Sequence, residues 1–115
     1  MADLPRELGD DRWAVVSVDD LPDGTAISRM LGDVPVAIAR HEGSLHAFGA
    51  LCPHQGADLS EGILEPGGTI ACGLHLWSFE MSSGCCTMIA GARVPVYPVA
   101  EERGEVVVTT REVAR

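Results

Sequence analysis

Short runs of alternating apolar and polar or small residues, each ended by a turn signal, organise this chain. Val34, Val36 and Ile38 alternate with Pro35, Ala37 and Ala39, which predicts a short strand with one apolar face. Trp13 to Val18 predicts an opening strand, and Leu45 to Phe48 and Thr69 to Ala71 predict two more. Val94 to Val99 and Val106 to Thr110 predict a closing pair joined by a polar hairpin at Glu101 to Glu105. Between these segments fall Pro22-Asp23-Gly24, Gly32-Asp33, Glu42-Gly43-Ser44, Pro66-Gly67-Gly68 and Arg103-Gly104, all combinations that favour tight turns. Neither a long amphipathic helix nor a repeat or low-complexity segment is present, so the pattern predicts an all-β protein.

Two segments carry chemistry that strand periodicity does not explain. Cys52-Pro53-His54 is a C-x-H knuckle and Cys72-Gly73-Leu74-His75 a C-x-x-H knuckle, with residues 55–71 between them. Ordinary zinc fingers group cysteines in one knuckle and histidines in the other, whereas each knuckle here offers one thiolate and one imidazole. Mixed knuckles suit a 2Fe-2S cluster in which two cysteines hold one iron and two histidines the other, because each loop then reaches both metals. A mononuclear zinc site on the same four residues is the competing assignment, and buried cysteines beside surface histidines with no metal the plainest one. Cys85 and Cys86 lie outside both spacings, and adjacent cysteines rarely meet disulfide geometry, so they are expected as two free thiols in or near the base. His41 and His46 also belong to no ligand spacing and are expected at the core edge or in solvent.

The neighbours of the knuckles resemble the Rieske ferredoxins. Cys52-Pro53-His54-Gln55-Gly56 is followed by Leu59-Ser60-Glu61-Gly62, and Cys72 to His75 runs on into Trp77-Ser78-Phe79 and Gly84. The resemblance spans the chain, including Tyr97-Pro98-Val99, and in His75-Leu76-Trp77 is closest to the ferredoxin component of toluene monooxygenase systems. Gly73 stands where the family often has proline and Leu76 where it often has glycine; neither place supplies a ligand. The resemblance implies a Rieske fold over residues 1–115 as one domain, an antiparallel β-sandwich base with a cluster-binding subdomain whose loops cover about 52–62 and 72–84. It implies one Rieske 2Fe-2S cluster on Cys52, His54, Cys72 and His75, with the outer edges of His54 and His75 facing solvent as the electron port. Gly56, Gly62 and Gly84 are expected to supply positive backbone angles or close backbone approach that aim amides at the sulfurs. Pro53 stiffens the first knuckle, and Trp77 and Phe79 are expected to shield the cluster. Respiratory relatives carry a cysteine in each loop that forms a disulfide and, after the second knuckle, a serine and a tyrosine that donate to cluster sulfur. Ala57 and Leu74 take the cysteine places and Trp77 and Phe79 the hydroxyl places, which points to a low potential.

A chain of 115 residues allows one domain with a modest core. No apolar run approaches the roughly 18 residues of a membrane span, and Met1 to Arg12 lacks the pattern of a secretory signal, so a soluble cytoplasmic protein is expected. The missing disulfide agrees with that compartment. A formal net charge of −9 excludes the electrostatic footprint of nucleic-acid binding; it serves solubility, or it steers partners. The expectation is therefore a monomeric one-electron carrier, not itself an enzyme, between an NAD(P)H-dependent flavoprotein reductase and a terminal oxygenase acting on aromatic or small hydrocarbon substrates. The alternatives are the small Rieske-like subunit of an assimilatory nitrite reductase and a zinc-stabilised interaction module.

Overall fold

The computed structural model describes residues 4–53, 56–72 and 77–112. Among the described residues, ten strands form three antiparallel sheets. One is four-stranded, in the order β1 (Arg6–Gly9), β2 (Arg12–Ser17), β10 (Glu105–Thr109), β9 (Val99–Glu102). The second is β3 (Thr25–Leu31), β4 (Val34–His41), β5 (Ser44–Gly49), and the third β6 (Ile63–Glu65), β7 (Thr69–Ala71), β8 (Ser78–Glu80). Helical structure among the described residues is confined to the 3-10 turns Val18–Asp20 and Leu59–Glu61.

The β3-β4-β5 sheet is the middle layer, with a hydrophobic core on each side. Val36, Ile38 and Ala47 pack with Val15, Leu31, Val106 and Val108 towards the four-stranded sheet. Ala37, Ala39 and Phe48 pack with Ile70, Phe79 and Met81 towards the third sheet. Successive residues of a strand point to opposite faces, so a strand sandwiched between layers buries both sets. This corrects the expectation of one apolar face on β4: Val36 to Ala39 are all buried. The alanines that read as the polar half of an alternation are core residues, small because another layer lies against them.

Two-residue turns set the registers. Glu42 (φ 52°) and Gly43 (φ 82°) join β4 to β5, and Arg103 (φ 53°) with Gly104 (φ 80°) joins β9 to β10. Both central residues lie at positive φ, the type I′ geometry whose twist matches that of paired strands. The predicted closing hairpin is thus tighter than Glu101 to Glu105, since Glu102 already pairs with Glu105. The predicted strand from Val94 to Val99 is also corrected: only Val99 onward is a strand, because Pro95 and Pro98 have no N–H to donate. Their neighbours still fasten the segment to β5, as Gly49 N–H donates to Pro95 O (2.9 Å) and Tyr97 N–H to Ala47 O (2.9 Å). Strands β1, β3, β6 and β8 had no counterpart in the sequence pattern.

Candidate metal centre

The two knuckles are built alike. Cys52 N–H donates to Ala57 O (2.8 Å) and Cys72 N–H to Trp77 O (2.7 Å), so each cysteine closes its own loop at the same spacing. Both cysteines are 2% exposed and belong to one core with Leu59, Ile70 and Phe79. Ala57 and Trp77, the two closing residues, pack against that same core. Two thiol-bearing residues far apart in sequence are therefore rooted in one apolar core, each at the base of a short loop. His54 and His75, with Gln55 and residues 73–76, lie outside the described residues. In sequence they fall within the spans that the two closing hydrogen bonds enclose.

Different devices hold the two loops. The first continues from β5 through Ala50 N–H to Pro35 O (3.1 Å), and the chain returns through Leu59 N–H to Ala50 O (2.7 Å). Asp58 secures the return: its carboxylate accepts from Ser28 Oγ (2.7 Å) on β3 and from Ser60 N–H (2.9 Å) and Ser60 Oγ (2.8 Å). Partial burial alone would raise the Asp58 pKa, but the hydrogen bonds from Ser28 and Ser60 outweigh it and hold the group below the usual carboxylate value. Regular β pairing frames the second loop instead, with Ala71 opposite Ser78.

Glycines act in two distinct ways here. Gly56 (φ 73°) and Gly84 (φ 79°) occupy left-handed backbone, as expected. Gly62 does not; a Cβ there would lie 2.0 Å from the Ala71 carbonyl oxygen, so the site requires close backbone approach. The amides of Gly56, Gly62 and Gly84 donate to the carbonyls of Cys52, Leu59 and Glu80, so these glycines do not themselves aim an N–H at a sulfur.

Phe79 is fully buried in the cysteine core, and Trp77 is half-buried against it, which agrees with a shielding role. Cys85 is exposed and Cys86 half-buried, both outside any disulfide, with Cys86 against the edge of that core. His41 lies beside the β4–β5 turn, at the end of the middle sheet opposite the first loop. Its Nε2 donates to Glu65 O (2.7 Å), and Glu42 accepts from Gly67 N–H (3.2 Å), so this turn pins the far end of the third sheet. Burial, and then proximity to His41, lowers the His46 pKa. Among the described residues, no group of three or more His, Cys, Asp or Glu side chains is arranged to hold a metal ion. Sequence reasoning missed Asp58 and Ser28; an Asp before a 3-10 turn was the one available signal for the first, and nothing local signalled the second.

Residues 11–98 match the Rieske [2Fe-2S] domain, and the chain belongs to that family. A 2Fe-2S cluster of the Rieske type is its cofactor, and the buried cysteine pair at the base of two matched loops fits such a group. The chain is 35% identical to the ferredoxin component of the alkene monooxygenase system of Xanthobacter autotrophicus, covering 84% of this chain and 79% of the relative. It is 34% identical to the 3-phenylpropionate/cinnamic acid dioxygenase ferredoxin subunit of Photorhabdus laumondii, covering 85% of this chain and 93% of that one. Among solved structures, a complex of reduced oxygenase and oxidized ferredoxin in carbazole 1,9a-dioxygenase contains a chain 27% identical, with TM-score 0.82 over 93% of this chain and all 100% of its own. A protein described as the NADH-dependent nitrite reductase small subunit of Mycobacterium tuberculosis is 28% identical, with TM-score 0.81 over 89% of this chain and 96% of its own.

Proposed function

We propose that this protein is a one-electron carrier, a Rieske ferredoxin that accepts an electron from an NAD(P)H-dependent flavoprotein reductase and delivers it to a terminal oxygenase acting on an aromatic or small hydrocarbon. The observation that carries this reading is the pair of matched loops rooted on buried Cys52 and Cys72, in a chain similar over most of its length to ferredoxin components of oxygenase systems. The ligand set that fits is Cys52 and Cys72 on one iron and His54 and His75 on the other, in a single domain spanning 1–115. When bound, the cluster stores and releases one electron. The protein's own residues exclude water on the cysteine side through Phe79, Leu59 and Ile70, and they hold the loops in place through Asp58 and the β7–β8 pairing. A buried, braced site of this kind changes little in shape between charge states, which favours fast transfer. Substrate chemistry then belongs to the oxygenase. No helix among the described residues is long and apolar enough to cross a membrane, and Ala57 and Leu74 at the disulfide places of respiratory relatives support a cytoplasmic setting.

The decisive experiment is reconstitution with reductase and oxygenase components, following NADH consumption coupled to product. Product that depends on this protein supports the reading, and NADH consumption indifferent to it counts against it. One second reading has a specific observation behind it, the likeness to the nitrite reductase small subunit. A stable stoichiometric complex with a large sirohaem subunit would decide for that role.

A further inference from the structure

Six large hydrophobic side chains are exposed among the described residues: Leu8, Met30, Leu51, Ile63, Met88 and Ile89. Leu8 lies on the outer edge of the four-stranded sheet, whereas Met30 and Leu51 line one cleft beside the first loop. Leu51 precedes Cys52 and bridges to Asp58 across the root of the first loop. Ile63 pairs with Ala71, the residue before Cys72. Met88 and Ile89 follow Thr87, whose N–H bonds to Ser78 O at the start of β8. Exposed apolar side chains that share one cleft mark an interaction site.

The cleft has a volume of about 280 Å³ and is lined by Arg29, Met30, Pro35, Leu51 and Asp58. Met30 is 58% exposed and Leu51 51%, although both face the same cleft. The Asp58 carboxylate keeps its charge but its oxygens are engaged by Ser28 and Ser60, which leaves the Arg29 guanidinium as the charged group the cleft holds open to a partner. Arg29 donates only to the Ser28 carbonyl (2.7 Å) and has no carboxylate partner among the described residues. By contrast Arg6, Arg12, Arg40, Arg93 and Arg111 all form ion pairs, and the other described arginine with none, Arg103, lies in the β9–β10 turn. A chain of net charge −9 thus keeps an unpaired cation beside an apolar cleft, next to the first loop.

We propose that this cleft seats the terminal oxygenase: an apolar side chain of that partner enters between Met30, Pro35 and Leu51, and a neighbouring carboxylate of the partner pairs with Arg29. The inference rests on the carrier function proposed above and names the face on which it is exercised. Arg29 selects an acidic contact, and arginine and methionine are both enriched at protein interfaces. A small cleft suits a partner that must also leave, as transient redox interfaces are among the smallest. A second copy of this chain fits poorly, because two surfaces of net charge −9 repel. A ferredoxin similar to this chain has been solved in complex with its oxygenase, so docking of this fold on such a partner is sterically possible.

The test uses the cluster-loaded protein with the reductase and oxygenase components of the alkene monooxygenase and 3-phenylpropionate dioxygenase systems. Two variants are compared with wild type, Met30→Ser with Leu51→Ser, and Arg29→Glu on its own. The concentration of carrier giving half-maximal product formation should rise ten-fold or more in both. Reduction by the reductase should stay within two-fold, and the visible spectrum and midpoint potential should not move. An unchanged carrier requirement overturns the proposal, and so does a reductase reaction slowed as much as the oxygenase reaction. It is also overturned if the wild type sediments as a dimer that the variants dissociate. If neither oxygenase accepts electrons from the wild type, the proposed function fails first and the cleft with it, an outcome distinct from failure of the cleft alone.

Discussion

The two halves of this molecule reach stability by different means. In the base, β2 and β10 face β3 to β5 across a core of whole branched side chains, Val15, Val36, Ile38, Val106 and Val108 among them, each at most 1% exposed. Burying each such side chain is worth about 1.5–3 kcal/mol, so the base has its own driving force. In the third-sheet lobe every strand is three residues long. Its core includes Cys52, Cys72 and the alanines 37, 39 and 50, and it depends on contacts borrowed from the middle sheet. Short strands with little apolar surface of their own make a fold element that metal ligation would complete.

The comparison breaks most visibly on removing the metal. Chelation of iron from the holoprotein should abolish the visible spectrum and amide-exchange protection in β6, β7 and β8, while β2, β4 and β10 stay protected. Hydrogen exchange read by mass spectrometry checks this, and uniform loss of protection would show that the two halves are one cooperative unit.

Next in size is Gly62→Ala. The added methyl would meet the Ala71 carbonyl oxygen at 2.0 Å, so β6 and β7 could not keep their register. A loss of about 3 kcal/mol or more is expected, at the upper end for overpacking, together with poor cluster loading. The same substitution at Gly104, in the base, meets no atom within 4 Å and contends only with its positive φ (80°), a cost of about 1–2 kcal/mol. Equal effects at the two sites would remove the distinction.

The halves also differed in how much of them could be read from the sequence. The two knuckles stood out by their spacing, since spacing is a local property, and Cys52 and Cys72 share one core, while His54 and His75 lie outside the described residues. What closes and braces the loops was not: the Ser28 to Asp58 bond joins residues thirty positions apart. In the base, β2, β4, β5 and β10 followed from alternation, but β3 did not, because Arg29 and Met30 turn outward and dilute its pattern. Strands β6 and β8, three residues each, are too short for a period to reveal, whereas β7 stood out only as the run leading into the second knuckle. Val94 to Val99 misled because its valines do pack inward while its prolines forbid the ladder.

Smaller effects sharpen the picture around the loops. Trp77 and Phe79 bring no hydroxyl to the cluster, and the midpoint potential is expected near the low end of the Rieske range, at about −150 mV. Trp77→Ser with Phe79→Tyr should raise it, as protein-film voltammetry would read; no change would mean that the side chains at these places do not tune the sulfurs. Asp58→Asn tests the brace of the first loop. Because the Asp58 pKa is lowered on folding, its contribution is fully present above the unfolded carboxylate value of 3.8 and is lost as pH falls through the folded value. The variant should be less stable than wild type at neutral pH by about 1 kcal/mol, with the gap closing in acid. Thermal unfolding of the holoprotein at pH 7 and below pH 4 checks this. A gap independent of pH would assign the effect to packing.

The central claim, mixed ligation by two thiolates and two imidazoles on these loops, is tested most directly by pulsed electron paramagnetic resonance on the reduced protein prepared with 15N-labelled histidine. The account predicts two strongly coupled nitrogens that respond to the label and remain when Cys85 and Cys86 are both replaced by serine. Absence of histidine nitrogen coupling, or its loss in the Cys85 and Cys86 variant, would contradict it.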